Sequence, residues 1–142
     1  MDYETVSAAT FGQSLGGLGI NLLARDVRRL AAFLQGVFGV EVYRLSGDFA
    51  ILRYYGQVFQ LHADHTFAAH PLPGLLSEAG ARGAGIEIRL YESDPDAAVA
   101  RLSDYPDAVL LQAPADKPHG LRECVILCEN GYAWVPSRRI ST

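Results

Sequence analysis

The chain repeats itself. Residues 19–34 read GINLLARDVRRLAAFL and residues 87–102 read EIRLYESDPDAAVARL, and the two align without gaps at an offset of 68. Ile20/Ile88, Leu22/Leu90, Asp26/Asp94, Ala32/Ala100 and Leu34/Leu102 are identical. Each stretch opens on alternating apolar residues and then changes to a helical period, the signature of a strand running into a helix. Asp26 and Asp94 stand at the change of period, where a carboxylate accepts the orphan amides of a first helical turn. Pro95 follows at the first helical position, where its missing N–H costs nothing. Val27, Leu30, Leu34, Val37 and Phe38 form one apolar stripe, with Gly36 and Gly39 as candidate terminators.

The match continues beyond the helices. Residues 40–45 and 108–113 are strand-like at the same offset, and the hairpin sequences FAILRYYGQVFQLH and CVILCENGYAWV follow. Asn130-Gly131 predicts a two-residue type I′ turn, and Tyr55-Gly56 holds the same place in the first copy. Each half therefore reads strand–helix–strand–strand–strand. The expectation is an α+β fold of two βαβββ modules, about residues 17–63 and 85–138, within a single domain. The linker, about residues 64–84, is rich in Gly, Pro and Ala, with a short helix expected at residues 75–79.

Composition narrows the function. With 49% apolar and 20% charged residues the chain has the balance of a folded protein. Its net charge is −4, Lys117 is the single lysine, and no basic block exceeds a pair, which argues against nucleic acid as a partner. No apolar stretch approaches the roughly 20 residues of a membrane span. The opening Met1-Asp2-Tyr3-Glu4-Thr5 is acidic where a secretory signal is basic. Cys124 and Cys128 read as free thiols. A cytoplasmic location is the expectation, with no membrane partner.

Strand alternation assigns faces. Ile86, Ile88 and Leu90 point to the helices, leaving Glu87, Arg89 and Tyr91 opposite; by the repeat, Gly19, Asn21 and Leu23 do the same. Phe59 and Leu61 read as core, so Val58, Gln60 and His62 take the other face. Pairing across a two-residue turn sets Phe49, Ile51 and Arg53 beside them. The same construction in the second half points Cys124, Ile126, Cys128, Ala133 and Val135 to that face.

The stretches LLARDVRRLAAFLQGVFGVEV and HGLRECVILCENGYAWV, in this order and spacing, resemble the vicinal oxygen chelate superfamily, which includes glyoxalase I, extradiol dioxygenases, fosfomycin-resistance enzymes and bleomycin-resistance binding proteins. The resemblance implies that the modules curl into a cup with a small-molecule ligand on the concave face. The candidate ligand-binding residues are then Asn21, Phe49, Arg53, Gln60, His62, Glu87, Arg89 and Tyr91, with Ile126 as an apolar wall. Glu87 pairs either with a cationic ligand or internally with Arg89 or Arg53.

Metal-dependent relatives take ligands from four positions, which here hold Gly19, Gln60, Glu87 and Val135. Glycine and valine offer no donor, and a catalytic zinc normally has three protein ligands. His62, two residues beyond Gln60, is about 6–7 Å further along the strand. No metal and no cofactor are expected, and no catalytic residue stands out. The H-x-x-H of His62 and His65 puts its rings on opposite faces of a strand. His70 and His119 fall in loops. The glycines at 16, 17 and 19 precede a strand and build no phosphate cradle. Cys124 and Cys128 read as small apolar fillers.

The sequence thus points to a metal-independent ligand-binding protein, similar to the bleomycin-resistance branch, that sequesters an antibiotic or metabolite. The alternatives are a divalent-metal lyase, isomerase or dioxygenase with a departing ligand set, and a regulatory module with a vestigial cup. Open sheet edges and the habit of known relatives imply a homodimer.

Overall fold

The computed structural model describes residues 1–76 and 80–141. Part of the helix expected at residues 75–79 lies outside the described residues. The chain divides into two units, one of Met1–Gln35 with Gly39–Leu75 and one of Gly36–Phe38 with Leu76–Thr142.

The first unit opens with a short helix that the sequence reading did not anticipate, α1 (Ala8–Ser14). Ser7 caps it by accepting from the Thr10 amide at 3.1 Å, satisfying one orphan N–H. Strand β1 (Asn21–Ala24) then feeds α2 (Val27–Phe38), followed by β2 (Glu41–Tyr43), β3 (Phe49–Tyr54) and β4 (Gln57–Ala63). The strands form one mixed sheet in the order β1-β4-β3-β2, with β1 and β4 parallel. Asp26 caps α2 as expected, accepting from the Arg29 amide at 3.1 Å. The helix ends at Gly39, whose amide donates to the Gln35 carbonyl at 3.0 Å, and Gly36 lies inside the helix. Leu22, Ala24, Ala50, Leu52, Leu61 and Ala63 share the apolar face of the sheet, and all are buried, as are Val27, Leu30, Ala31 and Leu34 of α2. Fully burying a leucine-sized side chain contributes roughly 1.5–3 kcal/mol.

The second unit repeats the plan. Strand β5 (Glu87–Tyr91), α3 (Pro95–Arg101), β6 (Val109–Asp116), β7 (Leu121–Leu127) and β8 (Ala133–Arg139) give a sheet in the order β5-β8-β7-β6, with β5 and β8 parallel. The equivalence of strand orders carries the sequence repeat into three dimensions. Trp134 is fully buried and stands beside Ile88 and opposite Ile126.

The two hairpins differ by one residue. In the first, Tyr54 pairs with Gln57, and Tyr55 and Gly56 both have positive φ (50° and 75°), the two-residue type I′ turn expected. In the second, Cys128 donates its amide to the Tyr132 carbonyl at 3.1 Å, and Gly131 donates to the Cys128 carbonyl at 2.9 Å. The loop is Glu129-Asn130-Gly131, three residues long, with only Gly131 at positive φ (82°). A one-residue slip reverses every side chain of a strand. Cys124, Ile126 and Cys128 therefore lie on the apolar face, not on the ligand face expected for them. Glu123 and Leu127 take the other face, opposite Ser137 and Ala133.

Candidate ligand site

Register fixes which side chains meet on the first sheet. Asn21 and Ile51 flank Gln60, Leu23 and Phe49 flank His62, and Arg53 stands opposite both Val58 and Glu41. The face assignment made for β1, β3 and β4 holds. The face is not open, however. Residues 1–15 fold back over it. Arg44, at the end of β2, donates through Nη2 to the Val6 carbonyl, and its amide donates to Glu4 Oε1 at 3.2 Å. Tyr3 sits between Phe11 and Tyr43, with ring centroids at 6.1 and 5.4 Å.

Between α1 and the sheet is a pocket of about 420 Å³. Phe11 and Leu15 come from the helix side, Phe49, Ile51 and Gln60 from the sheet, and Arg44 from the turn after β2. Phe11 and Ile51 are buried; Phe49 and Gln60 are half-buried. His62 backs the pocket. Its ring lies 5.2 Å from Phe49 and 5.1 Å from Phe67 by centroid, and Nε2 donates to Gln60 Oε1 at 3.3 Å in the Nε2-protonated tautomer. Burial lowers the His62 pKa from its ordinary value, disfavouring the charged ring.

Of the residues proposed from sequence, Phe49 and Gln60 line this pocket. Asn21 is exposed beside Gln60 at the start of β1. Arg53 turns instead to Glu41, at 3.9 Å, while the Tyr43 hydroxyl donates to the same carboxylate at 2.8 Å. Glu87, Arg89 and Tyr91 belong to the second unit and form a cluster of their own. Arg89 donates to Glu87 at 2.6 Å and to Glu123, and its guanidinium carbon lies 5.8 Å from the Tyr91 ring centroid. Of the two pairings left open for Glu87, the internal one with Arg89 is made. A second cavity of about 400 Å³ in this unit lies at the start of β5, lined by Gly83, Gly85, Ile86, Glu87, Leu127 and Ala133. Ile86 is 46% exposed there, outside the core assigned to it.

Sequence reasoning missed Arg44, Phe11, Glu123 and His119. Phe11 is the one buried residue of a seven-residue helix, too little for a periodicity to register. Its available signal was Ser7, a capping residue ahead of helix-favouring alanines.

No family model matches the chain, and no curated protein matches it. Solved structures do. A glyoxalase/bleomycin resistance protein/dioxygenase family enzyme from Burkholderia phytofirmans superposes with a TM-score of 0.67 at 20% identity, covering 86% of this chain and 97% of that one. TioX from Micromonospora sp. ML1 gives 0.62 at 23% identity, covering 89% and 100%. A glyoxalase-related enzyme from Fulvimarina pelagi gives 0.68 at 15% identity, covering 87% and 88%. The chain has the vicinal oxygen chelate fold.

Of the four positions that the sequence resemblance marks for metal ligands, Gly19 and Gln60 belong to the first unit and Glu87 and Val135 to the second. Gly19 is exposed ahead of β1, and Val135 is fully buried. Gln60 offers one amide oxygen, already accepting from His62, and the Glu87 carboxylate is held by Arg89. Neither unit's pair supplies the three protein ligands of a catalytic zinc. Among the described residues no three His, Cys, Asp or Glu side chains come together as a metal-binding group. No helix among them is long and apolar enough to cross a membrane.

Proposed function

We propose that the chain is a small-molecule-binding protein that holds its ligand, an antibiotic or metabolite, without a metal. The observation that carries this reading is the pocket between α1 and the first sheet. Its volume of about 420 Å³ falls in the range of small-molecule sites. Its walls are aromatic and aliphatic, with two polar groups, Arg44 and Gln60, set among them. A pocket of this composition binds by burial and is oriented by a few fixed contacts.

The test is fluorescence titration with anilinonaphthalene sulfonate, a reporter of apolar cavities, followed by its displacement with a library of antibiotics and metabolites. Saturable binding that weakens in Phe49→Ala supports the reading. Binding unchanged in Phe49→Ala, or no binding at all, overturns it. Elemental analysis of protein purified without chelator is the companion measurement. One equivalent of a divalent metal, lost in Glu87→Ala, would move the assignment to a metal-dependent lyase, isomerase or dioxygenase.

The homodimer belongs to the same proposal. The outer edge of β6 carries exposed Val109 and Leu111, and an exposed apolar edge invites pairing. Light scattering at micromolar protein distinguishes dimer from monomer.

A further inference from the structure

Arg44 is built unlike the other arginines of the first unit. Its backbone has φ of 52°, in the left-handed region that a branched or bulky side chain rarely takes. Residues held in that region cluster where a side chain must be aimed, and the surrounding contacts hold it there. Here the Glu4 carboxylate on the Arg44 amide and the Val6 carbonyl on Nη2 fix both ends of the residue. Arg44 is the charged residue that lines the pocket. Its Nε is buried and has no hydrogen-bond partner. A buried N–H of a charged group is costly to leave unpaired. Among the described residues no carboxylate pairs with this guanidinium.

The remaining wall says what the missing partner is attached to. Phe11, Leu15, Phe49 and Ile51 are apolar, and the Gln60 side-chain oxygen is already engaged by His62. The pocket's charge is thus a single arginine, and nothing on its wall competes for a cation. We infer that the pocket selects an apolar carboxylic acid, its aromatic or branched body between Phe11 and Phe49 and its carboxylate paired with the Arg44 guanidinium. The inference rests on the proposed ligand-binding reading and deepens it. A guanidinium suits this role better than an ammonium because its donors are planar and fixed in direction.

Naphthoate and its neutral isostere naphthamide are the probes, titrated calorimetrically into the full chain. Wild type is expected to prefer naphthoate by about tenfold or more, the worth of a charge-assisted hydrogen bond in a buried site. Arg44→Gln should erase the preference, and Phe49→Ala should weaken both probes alike. Because Arg44 also anchors residues 1–15, wild type supplies a second readout independent of any variant. The Arg44 side-chain Nε–Hε resonance should shift with naphthoate and stay in place with naphthamide. Equal binding of both probes, weakened by Phe49→Ala, overturns the carboxylate selection and leaves the pocket reading standing. Binding of neither probe overturns the selection, while a library hit displacing the fluorescent reporter would keep the pocket. A naphthoate preference with an unmoved Nε–Hε resonance assigns the anion elsewhere and also overturns the inference.

Discussion

Arg89 on β5 reaches Glu123 on β7 across the intervening strand. In register Arg89 stands beside Val135 of β8 and Glu123 opposite Ser137, so the guanidinium lies diagonally over β8, with Nη2 3.5 Å from the Ser137 hydroxyl. Glu87 adds a second carboxylate at 2.6 Å, and His119 Nε2 lies 3.1 Å from the Glu123 carboxylate. Glu123 is 7% exposed and Ser137 fully buried. One cation thus ties together three strands of the second sheet on the face away from its apolar core.

Glu123 should make stability pH-dependent. Burial works to raise its pKa, but hydrogen bonds from His119 and Arg89, with the charge of Arg89, outweigh it and leave the carboxyl below 4.5. A carboxylate depressed in the folded state contributes stability that is fully present above its unfolded pKa and is lost as pH falls through the folded one. Urea midpoints taken from about pH 7 down to about pH 3 should fall more steeply for wild type than for Glu123→Gln. Parallel midpoints in the two proteins would show that the ion pair contributes nothing. At neutral pH, Glu123→Leu should cost about 1–3 kcal/mol by leaving Arg89 short of its buried partner.

Cys124 should be inert. Its Sγ lies 3.9 Å from the Pro95 carbonyl at the start of α3, and burial, with the charges of Asp96 and Glu123, pushes the thiol up to about 11. The thiolate is the reacting form, and at about pH 8 it is a minute fraction. Iodoacetamide at that pH should leave Cys124 unmodified in the native protein and label it in urea, read by peptide mass spectrometry. Rapid native labelling would contradict the face assigned to β7.

Phe11→Ala should release residues 1–15 without unfolding the sheets. The ring is 7% exposed and packs edge-on against Tyr3. Its loss removes about 2–4 kcal/mol from the closing of residues 1–15 over the sheet. Limited proteolysis should cut near the N-terminus much faster, the far-ultraviolet spectrum should hardly change, and ligand binding should weaken. A global fall in stability with no preferential N-terminal cleavage would count against a separable roof.

The two hairpin glycines should respond unequally to alanine. At Gly56 a Cβ meets nothing within 4 Å, so Gly56→Ala carries only the left-handed backbone cost of about 1 kcal/mol. At Gly131 a Cβ would lie 2.4 Å from the Ala81 Cβ and 3.1 Å from its Cα, so Gly131→Ala should cost about 2 kcal/mol or more. Chemical denaturation of both variants reads the difference, and equal losses would mean that residue 81 yields easily.

What the sequence made legible was set by period and punctuation. Asp26 and Asp94 mark helix starts because a short carboxylate competes for the first amides, and both cap in the structure. The first hairpin's register followed from Tyr55-Gly56. The second did not follow from Asn130-Gly131, the stronger turn signal of the two. Arg82 donates its amide to the Asn130 carbonyl at 2.6 Å, a contact with the preceding loop that no local signal carries. That single residue of difference is why Cys124, Ile126 and Cys128 were placed on the ligand face and why Glu123 went unnoticed. The pocket residues split in the same way. Phe49 and Gln60 follow from alternation, whereas Phe11 and Arg44 meet them only through a terminal segment folding back across the sheet.

The three-residue loop of the second hairpin has a bearing on how the protein ages. Asn-Gly is the dipeptide at which chains most readily lose ammonia, when the glycine nitrogen attacks the asparagine side chain and a cyclic imide forms. Here the Gly131 nitrogen is committed to the Cys128 carbonyl, and Asn130 is only 1% exposed. The attacking nitrogen is tied up in a hydrogen bond and water is kept out. Deamidation at Asn130 is therefore a clock that runs in the unfolded chain and stands still in the native one.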